Sequence, residues 1–312
     1  MSGPKQSGGP GARGVEASRE RISLDGIVTV PNTPFETSGT VHLPSLGANV
    51  RRAISAGVAG FLVPAMASEV GALADEERQA VVTRVVAEVR AATGTASGAV
   101  SPNAGNGARA GAGGVPAGTH VPLGPIEQLA GQAASRGTGV PSPGEGRRPA
   151  VIGGASAATQ EERLANIERM VALGCDGVLV ALAYRDDDQY RREARELAAA
   201  VEAADVRRTG GTRPREVSQV ARPFLMIQDW DFTGYGAPVP LIAELFEELD
   251  AFRSLKVEVV PAGVKYSEVL AATGGHLHVA GGWAVGQMIE GLDRGVHAFM
   301  PTGMHEIYCE IY

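Results

Sequence analysis

Two ionisable side chains alternate in the stretch Ser254-Leu255-Lys256-Val257-Glu258-Val259-Val260. The surrounding Leu and Val mark a β-strand, in which residues two apart share a face. Lysine is a poor strand residue and is seldom buried without a partner. Lys256 therefore has two readings. On an outer face, or held by Glu258, it is an ion-pair residue. Inside a closed sheet it is an amine stripped of water. Loss of water favours a neutral amine, which can attack a ketone and form a Schiff base.

The other candidates are weaker. Lys265 follows Pro-Ala-Gly near the start of a helical pattern and reads as a surface residue. His276 and His278 alternate, and such a pair in a barrel can bind zinc. Yet His276 falls at the N-terminal end of its strand and no carboxylate pattern accompanies the pair, so a structural role is expected. His305 opens a helix and reads as a capping or surface histidine. The run Asp186–Asp188 fits a helix N-terminus, where carboxylates meet the helix dipole. Cys175 and Cys309 are the only two cysteines and have no metal-ligand spacing. A reduced, cytoplasmic protein without metal or cofactor is the expectation.

The elements that must position these residues announce themselves as a repeat. "AISAGVAGFLVPA" (53–65), "MVALGCDGVLVAL" (170–182) and "GLDRGVHAFMPT" (291–302) share one plan. A helical pattern ends in Gly57, Gly174 or Gly295, and an unbroken apolar run follows within a few residues. Glycine just past a helix supplies the left-handed conformation that stops it. A short apolar run is what a parallel strand buried on both faces requires. Eight such runs can be counted: 26–35, 60–65, 149–155, 177–182, 223–230, 254–260, 276–282 and 297–302. Helical patterns at 45–56, 75–91, 160–173, 188–204, 239–250, 266–273 and 283–293 separate them, with Asp75 as the N-cap of the second. Eight βα units predict an α/β protein with a (β/α)8 TIM barrel, in preference to a doubly wound open sheet.

Three stretches fall outside that rhythm. Residues 1–22 carry no apolar core and read as a disordered tail. Residues 94–148 contain 14 glycines in 55 residues, where average usage gives about four. A polar stretch covers 206–222. Both insertions join a helix to the next strand, on the barrel face opposite to chemistry, so the barrel domain runs over 23–312 with two non-catalytic insertions. The net charge of −7, with scattered basic residues, excludes a phosphate-backbone partner. No run of 18 apolar residues exists, so no membrane helix is expected.

In a barrel the reactive groups come from the C-terminal ends of the strands. That filter retains "PNTPF", "PAMASEVG", "ALAYRDDD", "QDWDFTGYG", Lys256 with Glu258, Gly281-Gly282-Trp283 and "MPTGMHE". Together these pieces, in this order from Leu24 to about Thr302, resemble the dihydrodipicolinate synthase/N-acetylneuraminate lyase family of class I aldolases. "GIVTVPNTPFETSGTVHLPSL" is similar to the family's first strand and its Thr-Pro-Phe. "AGVAGFLVPAMASEVGALADEER" is similar to its second strand, Gly-Thr-Thr-Gly-Glu loop and Leu-Ser-x-Glu-Glu-Arg. "LGCDGVLVALAY" matches the approach to its fourth strand, and "SLKVE" the strand that carries its Schiff-base lysine.

The resemblance implies a lyase or aldolase whose Lys256 condenses with pyruvate or another 2-keto acid. It places the keto-acid carboxylate on the backbone of Ala65, Met66, Ala67, Ser68 and Glu69, and the tight glycines after strand 7 at Gly281 and Gly282, with Met300 closing the site from strand 8. It also implies a homo-oligomer. The departures are as informative. Met66 and Ala67 stand where the family has two hydroxyl-bearing threonines. Ile227 and Gln228 stand where it has a Tyr-Asn pair, and Phe232 falls where an arginine would bind a second carboxylate. Tyr184 or Tyr235 is left as a substitute acid/base. The resemblance further implies a full eighth helix and a helical segment beyond it, whereas the sequence stops at "MHEIYCEIY". Two alternatives follow: a catalytically impaired relative that binds a keto acid or a partner protein, and a metal-dependent hydrolase built on His276 and His278.

Overall fold

A computed structural model describes residues 23–94, 148–210, 222–283 and 285–312. The expected tail, and all but the ends of the two expected insertions, lie outside these residues. Eight parallel strands close into a barrel in sequence order, β1 pairing with both β2 and β8. They are β1 Gly26–Thr29, β2 Gly60–Val63, β3 Ala150–Gly154, β4 Gly177–Leu182, β5 Phe224–Asp231, β6 Phe252–Val259, β7 His278–Gly281 and β8 Ala298–Phe299. Each is followed by a helix: α1 Leu43–Ser55, α2 Asp75–Gly94, α3 Gln160–Ala172, α4 Asp187–Thr209, α5 Val239–Glu248, α6 Ala262–Ala272, α7 Met288–Asp293 and α8 His305–Ile311. Among the described residues no helix is long and apolar enough to cross a membrane.

The pleat divides the core in two. Val28, Leu62, Ile152, Leu179, Met226, Ala280, Ala298 and Met300 fill the barrel. Their neighbours Ile27, Phe61, Val151, Val178, Leu225, Ile227, Leu255, Val257 and Val279 pack outward against the helices. A strand buried on both faces must read as a continuous apolar run, which is why the eight runs stand out in the sequence. Gly57, Gly174 and Gly295 take φ of 88°, 93° and 82°, the left-handed turn that three helices use to hand the chain to a strand.

Several boundaries differ from the sequence reading. α4 runs on to Thr209, into the stretch expected to be insertion. Asp75 is the first helical residue of α2. Ala74 takes the cap position, its carbonyl accepting from Arg78 N at 2.9 Å and its own N–H donating to Glu77 at 2.9 Å. Asp186 does cap α4, accepting from Gln189 N at 2.8 Å. α6 begins at Ala262, earlier than the pattern suggested, and this places Lys265 inside its first turn. Ile307 and Ile311 on α8 are about half exposed, and Tyr312 holds the end of that helix by donating to His297 O at 2.9 Å.

Candidate active site

The floor of the barrel is polar and closed. Ser254 Oγ and His278 Nδ1 lie 2.8 Å apart, and His278 Nε2 lies 3.3 Å from Leu24 O. The His278 ring stacks on His297 at 5.3 Å. His276 is exposed before β7 begins, so the two histidines share no ligand position. Among the described residues no three His, Cys, Asp or Glu side chains converge on a point.

Lys256 stands one interior position above Ser254. It is 8% exposed, in register with Gln228 of β5 and Ala280 of β7. One position higher, Glu258 turns back over it, with Oε1 2.9 Å from Lys256 Nζ. Gln228 Nε2 donates to the other carboxylate oxygen at 2.6 Å. The result is a Gln–Glu–Lys chain across two strands, largely out of water, at the C-terminal end of the barrel. The Lys256 amine is therefore both nearly buried and ion-paired with Glu258.

Gly282 makes room for this carboxylate. A Cβ at that position would lie 2.2 Å from Glu258 Cγ. Gly282→Ala therefore pushes Glu258 away from Lys256, and the expected outcome is loss of the 2.9 Å contact in a structure of the variant, in a chain that still unfolds cooperatively. Gly281 faces the other way, a Cβ there meeting Phe299 at 2.9 Å. Met300 is buried among the barrel's interior side chains.

The other expected site residues are distributed around the rim. Met66, Ala67 and Ser68 form a single 3-10 turn after β2. Met66 is 85% exposed, whereas Ser68 is fully buried and ties the turn to β1 by donating to Pro31 O at 2.8 Å. Thr33 Oγ1 donates to Ser68 O at 2.7 Å. The hydroxyl of Tyr184 donates to Asp187 at 2.8 Å, and that of Tyr235 donates to Glu268. The carboxylate partner pushes the Tyr184 hydroxyl up, and burial followed by Glu268 pushes Tyr235 far up. Of Glu258, Tyr184 and Tyr235, Glu258 is the one in contact with Lys256. Strand parity also separates Ile227, which packs on the helices, from Gln228, which enters the barrel.

Three features escaped the sequence reading. Lys265 is not a surface residue. It is fully buried, with Nζ 2.7 Å from the equally buried Asp229 Oδ2, and it donates to Tyr235 O at 2.8 Å and to Ala237 O. Its early position in α6 aims it back under the loop that follows β5. Asp229 was the available signal, an acidic residue at an outward position of a buried strand. His305 is partly buried, its two ring nitrogens without a hydrogen-bond partner among the described residues and Nε2 3.6 Å from Glu306 Oε2, against a cavity of about 490 Å³ that Asn32, Arg52 and Glu306 also line. That cavity lies outside the barrel, away from Lys256. The third feature is aromatic. Phe232 packs between Trp230 and Trp283, ring centres 5.5 and 5.2 Å apart, and Trp230 is the register partner of Glu258.

No protein-family model matches the chain, and no curated relative does. Solved structures do match. A putative dihydrodipicolinate synthetase from Pseudomonas aeruginosa shares 16% identity at a TM-score of 0.60, over 92% of this chain and 73% of that one. The synthase from Rhodopseudomonas palustris shares 15% at 0.61, over 94% and 75%. The enzyme from Cyanidioschyzon merolae, solved with lysine bound, shares 16% at 0.62, over 93% and 74%. The fold of this chain is therefore that of the dihydrodipicolinate synthases, a (β/α)8 barrel.

Proposed function

We propose that this chain is a Schiff-base-forming lyase or aldolase of the dihydrodipicolinate synthase type, acting on pyruvate or a related 2-keto acid through Lys256. The observation that carries this reading is an inward, nearly buried lysine whose amine is 2.9 Å from a carboxylate at the open end of the barrel. Lys256 gives a proton to Glu258 and its amine adds to the keto carbon. Water leaves, taking up the proton that Glu258 returns, and an imine remains. The freed carboxylate then removes a proton from the adjacent methyl carbon, leaving an enamine nucleophile. Gln228 fixes the carboxylate by donating to its second oxygen, so Glu258 replaces the missing tyrosine and threonines as the proton carrier. The keto-acid carboxylate is assigned to the backbone of the Met66–Ser68 turn on the same rim, an anchorage that needs no particular side chain.

The test is borohydride reduction in the presence of pyruvate, followed by mass spectrometry. The expected product is a chain heavier by one pyruvic acid less one oxygen, with the adduct mapped to Lys256 and absent from Lys256→Ala. No adduct with pyruvate or any other 2-keto acid, or an adduct that survives Lys256→Ala, overturns the reading. The engagement of Tyr184 and Tyr235 with Asp187 and Glu268 favours one second reading, a relative that binds a keto acid without turning it over. That protein would gain thermal stability from pyruvate with no trapping and no turnover.

A further inference from the structure

At the C-terminal ends of β5 and β7, on the strands that flank Glu258, three aromatic rings come together. Trp230 is the register partner of Glu258, and Trp283 follows the glycine that Glu258 packs against, its Nε1 donating to Val259 O at 3.1 Å. Phe232 bridges the two indoles and is 51% exposed. Beside them lies a cleft of about 400 Å³ lined by Ala183, Tyr184, Trp230, Asp231, Phe232 and Thr233. Among the described residues its one charged lining residue is a carboxylate. Hydrogen bonds from the N–H of Thr233 and its neighbours hold Asp231 below the usual carboxylate range, so it is anionic at neutral pH. The arginines next in sequence are paired elsewhere, Arg185 with Glu193 at 3.0 Å and Arg191 with Glu244 at 2.9 Å.

We infer that the second substrate of this site is an uncharged aromatic aldehyde, seated against Trp230, Phe232 and Trp283. The inference rests on the Lys256 reading above. An aromatic ring gains offset or edge contacts with such a cluster, whereas an anionic tail would meet Asp231 with no counter-charge. The enamine carbon attacks the aldehyde carbon, forming one C–C bond. The aldehyde oxygen takes the proton held by Glu258 and becomes a hydroxyl. Water then hydrolyses the imine, restoring the Lys256 amine and releasing a 4-hydroxy-2-keto acid that carries the ring. The reverse reaction cleaves the same bond.

The experiment compares benzaldehyde, propanal and succinic semialdehyde as partners for pyruvate with the full chain, scoring kcat/KM by pyruvate consumption. Benzaldehyde is expected to exceed succinic semialdehyde by at least about tenfold, and Phe232→Ala to lower the benzaldehyde value about tenfold, the scale of a lost apolar contact. Phe232→Arg is expected to reverse the order. A wild-type chain that traps pyruvate but prefers succinic semialdehyde overturns the aromatic assignment and leaves Lys256 standing. If no keto acid is trapped, the Lys256 reading fails and the aromatic site is read alone. The chain's two tryptophans are Trp230 and Trp283, so intrinsic fluorescence reports this cluster. Saturable quenching by benzaldehyde that Phe232→Ala weakens about tenfold supports the assignment. Equal or tighter binding of succinic semialdehyde overturns it. So does emission that shifts with protein concentration and ignores benzaldehyde, which would assign the face to contact between copies.

Discussion

Glu258→Gln lowers kcat with pyruvate and its aldehyde partner by about 10²–10⁴-fold, the range that a positioned proton carrier contributes. The glutamine amide keeps the length of the side chain and one oxygen to accept from Lys256, with Gln228 turning its own amide oxygen to meet the new NH2, but it cannot take a proton from the amine or from the methyl carbon of the imine. Loss should therefore fall on kcat rather than KM, because keto-acid anchorage is assigned to the β2 rim and not to Glu258. Borohydride trapping should slow without vanishing, since solvent can still remove the lysine proton. Glu258→Asp, which keeps the carboxylate at a shorter reach, should recover part of the rate. A Glu258→Gln chain with kcat within threefold of wild type would assign proton transfer to another group and remove the central step of the mechanism.

That step could be narrowed from sequence but not decided there. The barrel was legible because its strands are buried on both faces and its helices stop at glycines with positive φ, both local properties. Lys256 and Glu258 stood out for the same reason, as ionisable residues two apart in an apolar run. What could not be read was which partner each polar group finds across the fold. Tyr184 and Tyr235 looked available as acids, and each hydroxyl turned out to be bound to a carboxylate, the second of them on a different helix. Gln228 passed as one half of a lost pair until strand parity turned it inward. Phe232 was legible as the absence of an arginine. Its meaning came only when Trp230 and Trp283, far apart in sequence, closed on it. Lys265 failed most completely, because a lysine four residues past a proline resembles a surface helix start unless one knows that a buried carboxylate waits beneath it.

Lys265→Met is accordingly expected to lower unfolding free energy by about 3–5 kcal/mol, the cost of leaving a buried charge without its partner. Burial pushes the Asp229 carboxyl up and the Lys265 amine down. The signs run against the ion pair as a source of stability. A raised Asp229 contributes stability that is present below its unfolded pKa and is lost as pH rises through the folded value. A depressed Lys265 contributes stability above its unfolded pKa and loses it as pH falls through the folded value. At neutral pH both groups are held in their costly forms, compensated by each other and by the carbonyls of Tyr235 and Ala237. Removing both charges should therefore restore most of what removing one destroys. Asp229→Asn keeps an oxygen to accept the Ala237 N–H, which reaches Asp229 Oδ1 at 3.0 Å, so Asp229→Asn with Lys265→Met should unfold within about 1.5 kcal/mol of wild type. Urea midpoints for the four chains of this double-mutant cycle measure the coupling directly. Additive single effects would mean that the pair is incidental. The expected coupling identifies it as the clamp that holds residues 232–237, and with them Phe232, over the mouth of the barrel.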